Sequence, residues 1–390
     1  MITLEEFELL CREEVRKSID DNLGREPVAV ALDKRVPHAS SVATQVKYLQ
    51  RARRKLPSYF GARCIVPSLA FEQSSSEECA ARKPLSGGSV LDLTCGLGVD
   101  SFALSSHFSR VVSVERDEML ADVARENFRR LGASNIEVVN DSAENFVRTT
   151  QERFDWCFAD PDRRGADGGK RVLVEDCSPD MLELIPVVLS RGVARRVCVK
   201  LSPMFDVDEA LRLFGQFGRC SVEAVSLGDE CKEVLAIVDP DREPTVSAVA
   251  VGRGEFSAAL PLRGEPAAAG RFEPERYEYL IVPDVALQKT RLVRRHLDGF
   301  GYAESENGFV FAAGRPAGGV LGRVFEIESI ERYEPRRLRR ELKGRGAVIM
   351  LRDVPLTAAR IMQAAGLREG GDLRLAVTSA GGEIWVIRLK

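Results

Sequence analysis

The sequence predicts an α/β protein built on a mostly parallel sheet with an antiparallel edge hairpin, a helical region before it and small α+β domains after it. Short β-rich runs alternate with helical segments between Ser89 and Asp239: SVLDLTC, RVVSVER, IEVVND, FDWCFAD, RVCVKLS, VEAVSLG and VLAIVDP. This is the rhythm of βαβ units. The last two runs are separated only by DECKE, too short for a helical crossover, so they pair as a hairpin. Past DPDREP the chain becomes rich in Gly, Pro and Ala, which marks a domain boundary near residue 240.

At 390 residues the chain exceeds one ordinary core. Residues 1–83 read as a helical region containing the basic segment QVKYLQRARRKLPSYF, residues 84–240 as the sheet domain, and 241–318 and 319–390 as two small α+β domains. With 44% hydrophobic and 29% charged residues, and no apolar run long enough to span a bilayer, the composition is that of a soluble protein. The N-terminus alternates apolar and acidic residues instead of opening with a basic, then apolar, leader, so a cytoplasmic address is expected. Nine cysteines without a CxxC pair read as reduced core thiols. Three scattered histidines supply neither a zinc site nor a Ser-His-Asp triad, so no metal is expected. The net charge of −3 argues against a protein that coats nucleic acid but leaves room for local basic patches.

In SVLDLTCGLGVDSFALSSHF, Asp92 ends a strand, Thr94, Gly96 and Gly98 lie in the turn, and Asp100 opens the following helix. Glycines there let a ligand approach the backbone, as a nucleotide does, although a GxG also makes an ordinary tight turn. A dinucleotide pyrophosphate wants a helix start free of like charge, whereas this one carries Asp92 and Asp100. Carboxylates suit a ligand with a cationic amino acid head and a sulfonium, so S-adenosylmethionine is favoured over NAD. Glu115, followed by Arg116, ends the second strand either as an acceptor for both ribose hydroxyls or as a solvated carboxylate. Asp141 ends the third strand where it accepts an adenine amino group, with Ser142 and Ala143 lending backbone, or else Asp141 or Ser142 caps the next helix.

The spacing Asp92, Gly96, Gly98, Glu115, Asp141, Asp160 resembles that of class I S-adenosylmethionine-dependent methyltransferases over about residues 60–240. PSLAFEQSSSEECAARK, LDLTCGLGVDSFAL, ADPDRR, KLSP, ECKE and the terminal DVPLTAARIMQAAGLREGGDLRLAVTS together resemble a bacterial methyltransferase family with a THUMP-like C-terminal domain. The resemblance implies a Rossmann-like core, a ferredoxin-like unit at 241–318 and a THUMP-like terminus at 319–390. It raises RNA, tRNA or rRNA unresolved, as a substrate by analogy, and leaves the acceptor atom and oligomeric state open.

On this expectation Asp160 stands at the end of the fourth strand, at the switch point beside the donor sulfur. Methyl transfer is an in-line displacement that needs the acceptor positioned and its proton accepted; Asp160 is the first candidate. Amino-methyltransferases often carry (Asn/Asp)-Pro-Pro-aromatic here, whereas this chain has Asp160, Pro161, Asp162 and Arg163. Arg163 or Arg164 then stacks on a base or binds phosphate, or pairs with Asp162 to fix the loop. Phe71, Glu72 and Gln73 are candidates to close over the methionine end of the cofactor, the adjoining Ser74, Ser75 and Ser76 serving instead to cap the following helix, and Lys200, Ser202, Glu230 and Lys232 are candidates for the rim. No Pro-Cys pair ends a strand, which disfavours a cysteine nucleophile. ERYEPRRLRRELKGRG offers a basic helix with Leu338 and Leu342 buried, either a phosphate-binding face or a solvated one with arginines paired to Glu334 and Glu341; Lys47–Lys55 and Lys289–Arg295 are further basic stretches. A protein or small-molecule methyltransferase and a catalytically silent RNA-binding protein are the competing functions.

Overall fold

The computed structural model describes residues 2–162, 177–262 and 270–390. All seven expected strands are present: β1 (Gly87–Asp92), β2 (Phe108–Glu115), β3 (Ile136–Asn140), β4 (Phe154–Ala159), β5 (Ala194–Leu201), β6 (Cys220–Leu227) and β7 (Glu230–Val238). The chain divides into two compact units, Met1–Ser221 with Leu235–Arg242, and Val222–Val234 with Glu243–Lys390.

In the first unit the strand order is β3-β2-β1-β4-β5, followed by β7. β1 pairs in parallel with both β2 and β4, and β4 with β5. Chain order therefore runs outward in both directions from the β1/β4 boundary, which opens a crevice at the strands' C-terminal ends. Val90, Leu91, Val112, Val114, Cys157 and Phe158 are fully buried, as expected for parallel strands covered on both faces.

The N-terminal region is helical, the longest helix being Ala39–Lys55. The helices do not form a body of their own, because their core is continuous with that of the sheet domain. Leu49, Leu56, Tyr59, Ile65 and Phe71 belong to one buried cluster with Leu97, Val99 and Val123. Tyr59 Oη donates to Leu97 O (3.2 Å), and the buried Asn127 amide bonds the backbone of Ile65 in both directions (2.8 and 2.9 Å). The helical region thus fixes the far side of the Gly96–Gly98 turn.

The β6–β7 turn is Gly228–Asp229, with φ of 60° and 68°, positive at both central positions as a type I′ hairpin requires. This hairpin is not the edge of its sheet. β8 (Thr245–Ala250) pairs in parallel with β6, and β9 (Gly254–Ala259) pairs antiparallel with β8. Both strands come from the Ala-, Ser- and Gly-rich segment that the sequence marked as a boundary. Small residues hide β propensity, but burial of Val246, Ala248 and Val249 against β6 overrides it.

The rest of the second unit is a seven-stranded sheet in the order β11-β10-β12-β16-β15-β13-β14, made of β10 (Tyr279–Pro283), β11 (Val310–Ala312), β12 (Gly322–Arg332), β13 (Gly346–Arg352), β14 (Arg368–Glu369), β15 (Leu373–Ala380) and β16 (Glu383–Leu389). The residues expected as two domains, 241–318 and 319–390, share this sheet, since the long β12 pairs with β10 through its first half and with β16 through its second. The basic helix forms at Pro335–Leu342 with Leu338 and Leu342 as its buried pair.

All nine cysteines are free thiols. No described helix is long and apolar enough to cross a membrane.

Candidate active site

The turn after β1 is held by side chains from beneath. Gly96 and Gly98 adopt φ of +56° and +85°, the left-handed region that favours glycine. A Cβ on Gly98 would lie 2.4 Å from Phe128 Cζ, so the ring makes glycine obligatory there twice over. Gly98→Ala is expected to cost about 1–3 kcal/mol of stability, read as a lower urea midpoint. A midpoint equal to that of the unaltered protein would show that the turn relaxes freely.

Asp92 is fully buried. Its Oδ2 accepts from Ser101 Oγ (2.5 Å) and its Oδ1 from Thr94 N (2.9 Å); Ser101 in turn accepts from Ser113 Oγ (2.9 Å). Burial pushes the carboxyl up to about 7, with the Ser101 and Thr94 hydrogen bonds opposing the shift. Thr94 Oγ1 also accepts from Asp160 N (2.6 Å), tying the end of β1 to the end of β4.

Asp100 is enclosed by Lys83 (3.1 Å), Lys200 (3.7 Å) and Ser75 Oγ (2.9 Å). Burial raises its carboxyl, but the two ammonium groups and the hydroxyl outweigh burial and hold it at about 2. Neither loop carboxylate therefore presents a bare charge to the crevice: Asp92 anchors the turn, and Asp100 sits at the centre of an ion network. This changes the physical basis of the electrostatic expectation, since the loop's acidity is largely balanced within the protein.

Glu115 closes the same turn from β2. Its Oε2 accepts from Gly96 N (2.8 Å) and its Oε1 from Asp117 N (2.9 Å). A carboxylate has about four acceptor sites, so two remain for a diol. Asp141 carries two hydrogen bonds from Asn145 Nδ2 (3.0 and 2.8 Å) and one from Ser142 N (2.8 Å). Ser142 caps the helix Ala143–Thr149 through Asn145 N, so the capping alternative holds for Ser142, and Ala143 is buried behind it.

Asp160 lies one residue beyond β4, and Lys200, near the end of β5, donates to its Oδ2 and to Ser75 Oγ (2.9 Å). Lys83, Asp100, Lys200 and Asp160 thus alternate in sign through one connected network. Sequence reasoning placed Lys200 on the rim and overlooked Lys83; a lysine inside the apolar run RVCVKLS was the available signal for the first, and nothing marked the second. Asp162 pairs through its backbone with Ser178 (2.8 and 3.0 Å), whose hydroxyl accepts from Arg116 Nη1 (2.8 Å). Gln73 Nε2 reaches Asp162 Oδ1 at 3.5 Å. Pro161 is buried.

Phe71 sits in the helical core against Tyr48 (5.6 Å between centroids), a packing position. Ser76 caps the helix Glu77–Ala80, whereas Ser75 joins the ion network. Glu230 and Lys232 pair with each other (2.5 Å) and belong to the second unit. Arg163 and Arg164 lie outside the described residues.

Residues 90–161 match the family model described as a methyltransferase domain, and residues 322–390 match one described as THUMP domain-like. Curated relatives include the tRNA/tmRNA (uracil-C(5))-methyltransferases of Shewanella oneidensis, 30% identical over 121 residues, and of Acinetobacter baylyi, 33% identical over 118 residues. These alignments cover 25% and 24% of this chain, and the chain spans about a third (33%) of the length of each relative. The structure of a candidate methyltransferase from Porphyromonas gingivalis W83 superposes with a TM-score of 0.79 at 24% identity, over 100% of this chain and 99% of that one; the likeness is one of fold.

Proposed function

The chain carries a class I methyltransferase domain and a THUMP-like domain, and from that premise we propose that it transfers a methyl group from S-adenosylmethionine to RNA. The observation that supports this most is the convergence, at the C-terminal ends of the adjacent strands β2, β1 and β4, of Glu115, the glycine turn and Asp160 within one unit. The residues fit the cofactor. Beyond its chain neighbours, an added Cβ at Gly96 would meet only Thr94 O, at 3.9 Å, Glu115 retains acceptor capacity for ribose hydroxyls, and Asp141 would meet the adenine edge.

Bound there, the cofactor would supply a methyl on a sulfonium. Asp160, with one oxygen engaged by Lys200, would accept a hydrogen bond from the acceptor group through the other and set its line of approach. RNA as substrate is supported by the relatives' names, by the THUMP-like match and by the helix Pro335–Leu342. There Arg337 pairs with Glu341 (2.9 Å) and Glu331 (3.1 Å), while Arg336, Arg339 and Arg340 are exposed with no ion pair to any described acid. Such a row suits phosphate.

Labelled S-adenosylmethionine incubated with the protein and fractionated cell RNA tests the proposal. Label is expected in RNA, and Glu115→Ala is expected to weaken S-adenosylhomocysteine binding about tenfold, the loss of one good hydrogen-bonded pair. Label in protein or metabolite fractions would replace RNA as the substrate class, and binding of RNA without S-adenosylmethionine would sink the enzymatic reading.

A further inference from the structure

The helix Ala39–Lys55 buries Val42, Val46, Tyr48, Leu49 and Ala52 and turns Lys47, Arg51 and Arg54 outward as exposed cations. These positions are spaced i, i+4, i+7, so they occupy one helix face. What distinguishes this face from an ordinary solvated one is its connection to the crevice through a single short segment. Lys55 Nζ donates to Phe71 O (2.6 Å), and Arg51 pairs with Glu72. Gln73 reaches Asp162 (3.5 Å), and Ser75 contacts Asp100 and Lys200 (both 2.9 Å). Within residues 71–75, contact passes from the basic helix to the loop that carries Asp160. Five residues span at most about 18 Å even when fully extended, so the cations stand within a few nucleotides of the site.

We infer that this face is a phosphate-binding track for single-stranded RNA, holding the backbone beside the nucleotide presented to Asp160. The inference rests on the RNA methyltransferase reading and adds the strand's path and state. Lys47 and Arg54 have no ion pair to any described acid, and the acid within residues 71–75, Glu72, is already taken by Arg51. An acceptor inside a duplex would have to be extruded to reach a side chain at a strand end, so the substrate segment is a loop, a bulge or an end.

The test uses the full chain and a fluorescein-labelled, mixed-sequence single-stranded RNA of about 12 nucleotides, with anisotropy followed from about 50 to 200 mM salt. Lys47→Gln/Arg54→Gln is expected to bind about tenfold more weakly and to lower the salt slope by about 1.4, the value for two lost phosphate contacts on a single strand. Lys47→Arg/Arg54→Lys should behave as the unaltered protein, and calorimetry with S-adenosylhomocysteine should give equal affinities for all three. Tight binding by the unaltered protein with the same slope in the glutamine variant overturns the track alone. Failure of the unaltered protein to bind the RNA overturns both the track and RNA as the substrate, while leaving cofactor binding to stand on its own calorimetric result.

Discussion

Asp160→Ala is expected to reduce methyl transfer to RNA about a hundredfold or more while leaving S-adenosylhomocysteine affinity close to that of the unaltered protein. The carboxylate is held at the end of β4 by Lys200 on one side and by the bond from its own backbone N–H to Thr94 on the other. Its removal takes away the group proposed to meet the acceptor without disturbing the glycine turn. Lys200→Met should behave differently. It removes a cation that touches Asp160 and Asp100 together, with side chains only 11% and 12% exposed for Lys200 and Asp100. Breaking one partner from a buried pair costs about 3–5 kcal/mol, so this variant should lose stability as well as transfer. Retention of full transfer by Asp160→Ala would remove the residue from the proposed chemistry. Retention of stability by Lys200→Met would show that Lys83 alone suffices for Asp100.

The pH dependence of stability should carry the signature of Asp92. Its folded-state carboxyl is raised by burial from 3.8 to about 7, so between these values the folded protein holds a proton that the unfolded chain has released. The unfolded state is then favoured increasingly as pH rises, and stability falls across the window from about pH 4 to pH 7. At about 1.4 kcal/mol per pH unit the total approaches 4 kcal/mol. Asp100 acts in the opposite sense and in a separate window. Its folded value is lowered to about 2, so the stability it contributes is present above about pH 4 and is lost as pH falls towards 2. Asp92→Asn should therefore flatten the fall between pH 4 and 7, gaining on the unaltered protein at pH 8 relative to pH 4, as read from urea midpoints across pH. Parallel curves for the two proteins would mean that Asp92 does not titrate in this range.

Several features were legible in the sequence because they depend on local pattern. The seven runs from SVLDLTC to VLAIVDP became β1 to β7, since alternating apolar runs and helical segments leave little choice but a parallel sheet. The turn at Gly96 and Gly98 was legible because left-handed backbone demands glycine, and the buried pair Leu338 and Leu342 because helical spacing places them on one face. Asp160 was legible as the end of the fourth run, and its place beside the first strand followed from the resemblance to a methyltransferase sheet.

Other features depended on long-range pairing that no local pattern encodes. β8 and β9 are too rich in small residues to stand out, and become strands only because β6 offers an edge. The pairing of β12 with both β10 and β16 joins in one sheet residues that were read as two successive units. The charge around the turn was decided the same way. Asp100 looked like a free acid for a cationic ligand, but residues 17 positions before it and 100 after it, Lys83 and Lys200, enclose it, and burial turns Asp92 into an anchor. By itself the sequence determined where the strands lie along the chain and the identity of the groups at their ends, because period, turn chemistry and strand length are local. Only the tertiary structure decided which of those groups keep their charge and what they face, because desolvation and ion pairing are set by residues that the chain brings together from far apart.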